Sequence, residues 1–156
     1  MQVFYYSNNR ITTEKSTKTH VMARLKLKKE HAFFPLFEKF ISESKNCKRL
    51  QPNGKKLSAG TIKNYSSTKQ LLERFCREKN FDLRIRQERY LNTRETEVEK
   101  NYWKKFYRKF TDYLYNDLGC FDNYVGANIK NIKAFFNYLN KENGVKPGNF
   151  HKLFYV

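Results

Sequence analysis

Four segments of apolar residues at three- and four-residue spacing make this a mainly α chain, a four-helix bundle. The connections carry turn chemistry, with Pro52-Asn53-Gly54 after the first segment and Leu118-Gly119 after the third. Aromatic residues are 17% of the chain, with 14 Phe and 11 Tyr, so the core of such a bundle is expected to be built from rings. At 156 residues the chain is of the length of one ordinary domain, or a domain with an appendage.

The first 30 residues have a different period. In HVMARLKLKK, Val21, Ala23, Leu25 and Leu27 alternate with Arg24, Lys26 and Lys28, the pattern of a strand with one buried and one basic face. Val3 to Tyr6 is β-prone, with the polar stretch Ser7 to Thr19 between them. Two readings stay open, a short N-terminal β-hairpin and a disordered basic arm, because an isolated pair of strands is only marginally stable in water.

The first helix has Pro35 in its opening turn, where the missing N–H costs nothing, and Phe33, Phe37, Phe40 and Ile41 on its apolar side. It ends near Lys45-Asn46. The loop that follows, CKRLQPNGKKL, is made basic by Arg49, Lys55 and Lys56. A second helix starts after Ser58, whose hydroxyl can accept a free N–H of the first turn, and runs to about Glu78. Its apolar side is Ile62, Tyr65, Leu72, Phe75 and Cys76. Leu83-Arg84-Ile85 reads as extended. A third helix begins between Thr93 and Thr96, since Asn92 with Glu95 and Thr96 with Glu99 each fit a capping box. Its stripe of Tyr102, Trp103, Phe106, Phe110, Tyr113 and Leu114 belongs to the core, with Lys104, Lys105 and Arg108 facing away. The fourth helix, capped by Asp122 or Asn123, buries Val125, Ile129, Ile132, Phe136 and Leu139 with Phe135 at the flank. It ends at Asn143-Gly144, and Pro147-Gly148 marks a domain edge.

The balance of 32 Lys+Arg against 15 Asp+Glu gives a net charge of +17, which repels itself unless an anionic partner is near. Nucleic acid is the first candidate. An anionic membrane surface is the second, but no apolar run reaches the roughly 20 residues needed to span a bilayer, and the N-terminus lacks the form of a signal peptide. Three widely spaced cysteines suit reduced thiols in a cytoplasmic protein rather than a disulfide framework. No Cys or His lies at zinc-ligand spacing from another, so no metal, cofactor or small-molecule ligand is expected. No nucleophile–base pair or glycine-rich phosphate loop points to an enzyme.

The outward sides of the second and fourth helices share one design. The second carries Lys63, Asn64, Ser67, Gln70 and Arg74, and the fourth carries Lys130, Asn131, Lys133, Asn137 and Lys141. Asn can make paired hydrogen bonds to adenine in a major groove, and Lys serves phosphates and guanine. Ser and Thr near helix starts commonly bind phosphate. With Lys55 and Lys56 in the preceding loop, these residues form the candidate DNA-binding set.

The stretches FEKFISESKN, NGKKLSAGTIKNY with LLERF, KKFYRKFTDYLYNDLG and NIKNIKAFFNYLNKENG, within residues 31 to 150, carry a resemblance. The chain resembles the core-binding domain, the N-terminal SAM-like helical domain, of tyrosine recombinases of the phage-integrase family. It is most similar to integrases of Bacteroides-type mobile elements. The resemblance implies a SAM-like bundle of two crossed helical hairpins that closes one side of a clamp around DNA. It also implies major-groove contacts from Lys63, Asn64, Ser67, Lys130, Asn131 and Lys133. Residues 1–30 are similar in style to the arm-type DNA-binding segment of such integrases, residues 31–148 to the core-binding domain, and 149–156 to the start of a linker towards a catalytic domain.

The family's catalytic domain needs two arginines, a lysine, a His-x-x-Arg motif and a tyrosine nucleophile. None can be mapped here: His20, His31 and His151 are followed three residues later by Ala23, Phe34 and Phe154. The expected protein is therefore a non-catalytic, nucleoid-associated bacterial module with double-stranded DNA at a recombination site as its partner. Two rivals stand beside it. One is a docking or regulatory module for recombinase protomers that uses the aromatic first helix and the tail Phe150 to Val156. The other is an RNA-binding helical domain.

Overall fold

The computed structural model describes residues 30–51 and 53–154. Within them lie four long helices: α1 (Phe33–Lys45), α2 (Ala59–Lys79), α3 (Thr93–Asp112) and α4 (Asp122–Lys141). A two-stranded antiparallel sheet joins β1 (Glu30–Ala32) to β2 (Arg84–Arg86), with His31 opposite Ile85. The chain is thus a mainly helical four-helix bundle with a small sheet at its N-terminal side, as expected. The hairpin anticipated from Val3–Tyr6 and Val21–Lys28 lies outside the described residues. β1 begins one residue inside the segment read as the arm and belongs to the helical body, because its partner strand follows α2.

Local chemistry sets the helix ends. Ser58 accepts the Thr61 N–H at 3.1 Å and caps α2. Asn92 and Glu95 form the reciprocal capping box at the start of α3, at 2.8 and 3.0 Å. α4 departs from expectation. Neither Asp122 nor Asn123 caps it; the helix opens on Asp122 after Phe121, with no side-chain cap. Asp122 instead accepts the Tyr115 hydroxyl at 2.9 Å. Between α3 and α4 the chain widens into a π turn at Tyr113–Asp117, with Leu118 N–H reaching the Tyr113 carbonyl at 3.1 Å. Tyr113 and Leu114, at the start of that turn, are both fully buried.

The core is a continuous stack of rings. Phe135 of α4 packs on Phe33, Phe37 and Phe40 of α1. Phe136 beside it meets Trp103 of α3 at 4.9 Å, nearly edge-on. Phe75 of α2 contacts Phe106 and Phe110 of α3. Offset and edge-on geometries of this kind add to the area term that dominates ring burial.

The segment expected to leave the body as a linker does not do so up to Phe154. Residues Phe150–Leu153 form a 3₁₀ turn, and Phe154 is buried against Trp103, Phe106, Tyr107 and Phe136. The Glu88 N–H to Lys146 carbonyl bond, 2.9 Å, ties the stretch just before this segment to the β2 side. Phe150 and Phe154 are therefore part of the core.

One ion cluster supports the sheet. Glu99 of α3 is fully buried and accepts two bonds from the Arg84 guanidinium, at 2.9 and 3.2 Å, with Arg86 at 3.9 Å. Arg84 also lies over the Tyr102 ring. β2 is held to α3 by charge as well as by Ile85.

Candidate nucleic-acid interface

α2 and α4 run side by side and meet along a polar seam. The Thr68 hydroxyl donates to Asn128 Oδ1 at 2.8 Å, and Asn131 Nδ2 donates to Thr68 Oγ1 at 2.9 Å and to the Asn64 carbonyl at 3.5 Å. Asn128 Nδ2 in turn donates to the Tyr124 carbonyl at 2.9 Å. Thr68 is 1% exposed and Asn128 5%, so these bonds form in a low-dielectric setting where each is strong and each is needed. Pairing Asn64 with Asn131 and Thr68 with Asn128 makes the helices antiparallel. Both bury their far sides in the same aromatic core, so their outward sides face the same way.

That shared face carries much of the candidate set. Lys63, Asn64, Ser67 and Gln70 are exposed on α2, and Lys130 and Asn137 are exposed on α4. Neither Lys63 nor Lys130 pairs with a carboxylate among the described residues. Lys55 and Lys56 lie exposed just before α2, on a tight turn closed by the Gln51 N–H to Lys55 carbonyl bond at 2.8 Å and the Leu50–Lys56 bridge. Gly54 takes φ +75°, a conformation that suits glycine. The first turn of α2 has no acidic residue, so its free N–H groups and dipole add positive potential beside these lysines.

Three members of the set are placed otherwise. Asn131 spends its amide on the seam and is half-buried. Arg74 donates to the Tyr113 hydroxyl at 2.8 Å and to Glu78 at 3.1 Å, which engages its guanidinium at one end of the face. Lys133 lies on the flank of α4 turned from α2, near His151, whose pKa its charge helps to lower. Arg49, read as part of the basic loop, is folded back over Phe40 and Tyr138 and paired with Glu142 at 3.0 Å. It is a structural tie between the loop and α4.

The residues that sequence reasoning missed are Thr68 and Asn128. The available signal was polarity on the buried side of each wheel, which in a bundle means a partner on another helix.

Two adjacent helices have axes about 8–10 Å apart, so with side chains the pair spans about 20 Å. A major groove is about 12 Å wide, which admits one helix and leaves the other on the phosphate rim.

Burial pushes the Cys76 thiol up to about 11 and keeps it protonated. Tyr102 and Tyr138 are raised, first by burial; Tyr102 donates to the Asp82 carbonyl at 2.7 Å and Tyr138 to Glu43 at 2.8 Å. Among the described residues no three His, Cys, Asp or Glu side chains gather as a metal site. No helix there is long and apolar enough to cross a membrane.

The corner between α3 and α4 exposes three rings, Phe121 at 86%, Tyr124 at 48% and Tyr115 at 42%. Comparison of the chain with protein-family models, with curated proteins and with solved structures finds no match in any of the three.

Proposed function

We propose that this chain binds double-stranded DNA through the shared outer face of α2 and α4, without catalysing a reaction on it. One observation carries the proposal: the seam locks the two helices so that Lys63 and Lys130, which meet no carboxylate among the described residues, point the same way with Asn64, Ser67, Gln70 and Asn137. α2 is the groove helix, because it presents the amides and hydroxyl together with the basic turn at its start. Lys130 and Asn137 then sit on the flanking phosphates, about 10 Å apart along α4. The more specific assignment, to the core-binding part of a tyrosine site-specific recombinase acting in integration or excision of a mobile element, rests on the motif resemblance described above.

The test is a salt titration of binding to a labelled duplex by fluorescence anisotropy. If about six phosphates are neutralised, affinity falls roughly 10³-fold between 50 and 200 mM salt. Unchanged affinity over that range would discard the proposal, and preferential competition by structured RNA would redirect it to RNA.

A second reading, protein docking, has one observation in its favour, the exposed Phe121 with Tyr124 and Tyr115. Concentration-dependent size in light scattering that Phe121→Ser abolishes would support it.

A further inference from the structure

Eight cations of the bundle are paired with carboxylates. Lys39, Arg49, Lys69, Arg74, Lys79, Arg84, Arg86 and Lys100 each lie within 4 Å of a carboxylate. The outer side of α3 gathers four that are not. Lys104, Lys105, Arg108 and Lys109 are all exposed, and none meets a carboxylate among the described residues. They form two like-charged pairs one turn apart, Lys104 with Arg108 and Lys105 with Lys109. Such pairs destabilise a helix.

The same side holds a groove of about 340 Å³, with Lys104 and Arg108 on its rim and Tyr107, Thr111 and Leu153 along it. Tyr107 stacks flat on Phe154 at 5.7 Å, so its ring is held in place. Cationic rims above a rigid, partly apolar floor suit a sugar–phosphate strand, with phosphates at the rim and deoxyribose on the floor.

The location of this face matters as much as its charge. α3 touches α2 and α4 through Trp103, Phe106 and Phe110, against Phe75 and Phe136. The basic side of α3 is therefore directed away from those contacts, and the α2–α4 face lies beyond them across the aromatic core.

We propose that the outer face of α3 is a second duplex-binding surface, so that one chain links two DNA segments held on opposite sides of its core. The linking rests on the α2–α4 reading; the α3 surface does not.

The test uses the full chain, a biotinylated duplex on beads and a second, fluorescent duplex at moderate salt. The intact protein retains the fluorescent duplex on the beads. The triple variant Lys104→Glu, Lys105→Glu, Arg108→Glu, all at exposed positions, should reduce that retention at least tenfold while changing anisotropy-measured affinity for a single duplex less than tenfold. An unchanged thermal melt shows that the variant is folded. Retention undiminished in the triple variant overturns the proposal, and so does absence of linking by the intact protein. The pair Lys63→Glu, Lys130→Glu separates the two readings. If that pair leaves single-duplex affinity intact while the triple variant abolishes it, the α2–α4 reading fails and the link with it, α3 being then the only DNA face.

Discussion

α4 is held by two contacts of opposite chemistry. On one side Phe135 and Phe136 bed into the rings of α1 and α3; on the other Asn128 and Asn131 hydrogen-bond to Thr68 of α2. Rings hold the helix through buried area, which is tolerant of small rotations. Hydrogen bonds between short polar side chains tolerate little, so the seam sets how α4 is turned about its axis and where Lys130 points. Stability and orientation are thus assigned to different sides of one helix.

Breaking the ring side should have the largest effect. Phe136→Ala leaves a hole against Trp103 and Phe154 and should cost about 3–5 kcal/mol, read as a loss of denaturant midpoint. Thr68→Val removes the hydroxyl that both Asn128 and Asn131 use. It should cost about 1–3 kcal/mol through unsatisfied amides, while a Thr68→Val, Asn128→Leu double variant should cost less than the two single changes summed. Additive losses would show that the seam is not a coupled unit.

The comparison is sharpened by two residues of the candidate set, one on the seam and one on the outer face. Asn131→Ala should lower stability by about 1 kcal/mol and leave duplex affinity nearly as it was. Lys63→Ala should do the reverse, weakening duplex binding by about 1 kcal/mol, roughly fivefold, with an unchanged melt. The opposite outcome would return Asn131 to the list of DNA contacts.

The smallest effect concerns pH. His151 is buried against Phe136, and burial, then the charges of Lys152 and Lys133, lower its pKa from the ordinary 6.5. The unfolded chain therefore binds the proton first. Its contribution to stability is complete above about pH 6.5 and declines as pH falls from there through the folded value. The melting temperature of the intact protein should fall more between pH 7 and 5 than that of His151→Gln.

These contrasts show what could be read from the chain beforehand. Ser58 was legible because capping is settled within four residues, and the Asn92–Glu95 box was one of two that the sequence offered. The buried rings of α1 and α3 were legible from their period. Thr68, Asn128 and the inward turn of Asn131 were not, because a polar residue reveals its partner only once two helices are juxtaposed. Arg49 and Arg74 looked like free cations for the same reason: Glu142 lies 93 residues from the first and Tyr113 lies 39 from the second. Phe150 and Phe154 read as an exit because a short apolar tail after Pro147-Gly148 carries no period of its own. Of the candidate interface, the exposed lysines and amides were legible, while the seam that aims them was not.

The widened turn at Tyr113–Asp117 has a bearing on engineering. It inserts one residue into the helical repeat, and each residue of a helix turns the chain by about 100°. Shortening the loop by that single position would restore regular winding and swing the entry to α4 by a similar angle. A one-codon deletion there would thus misdirect a whole helix without altering any side chain on it.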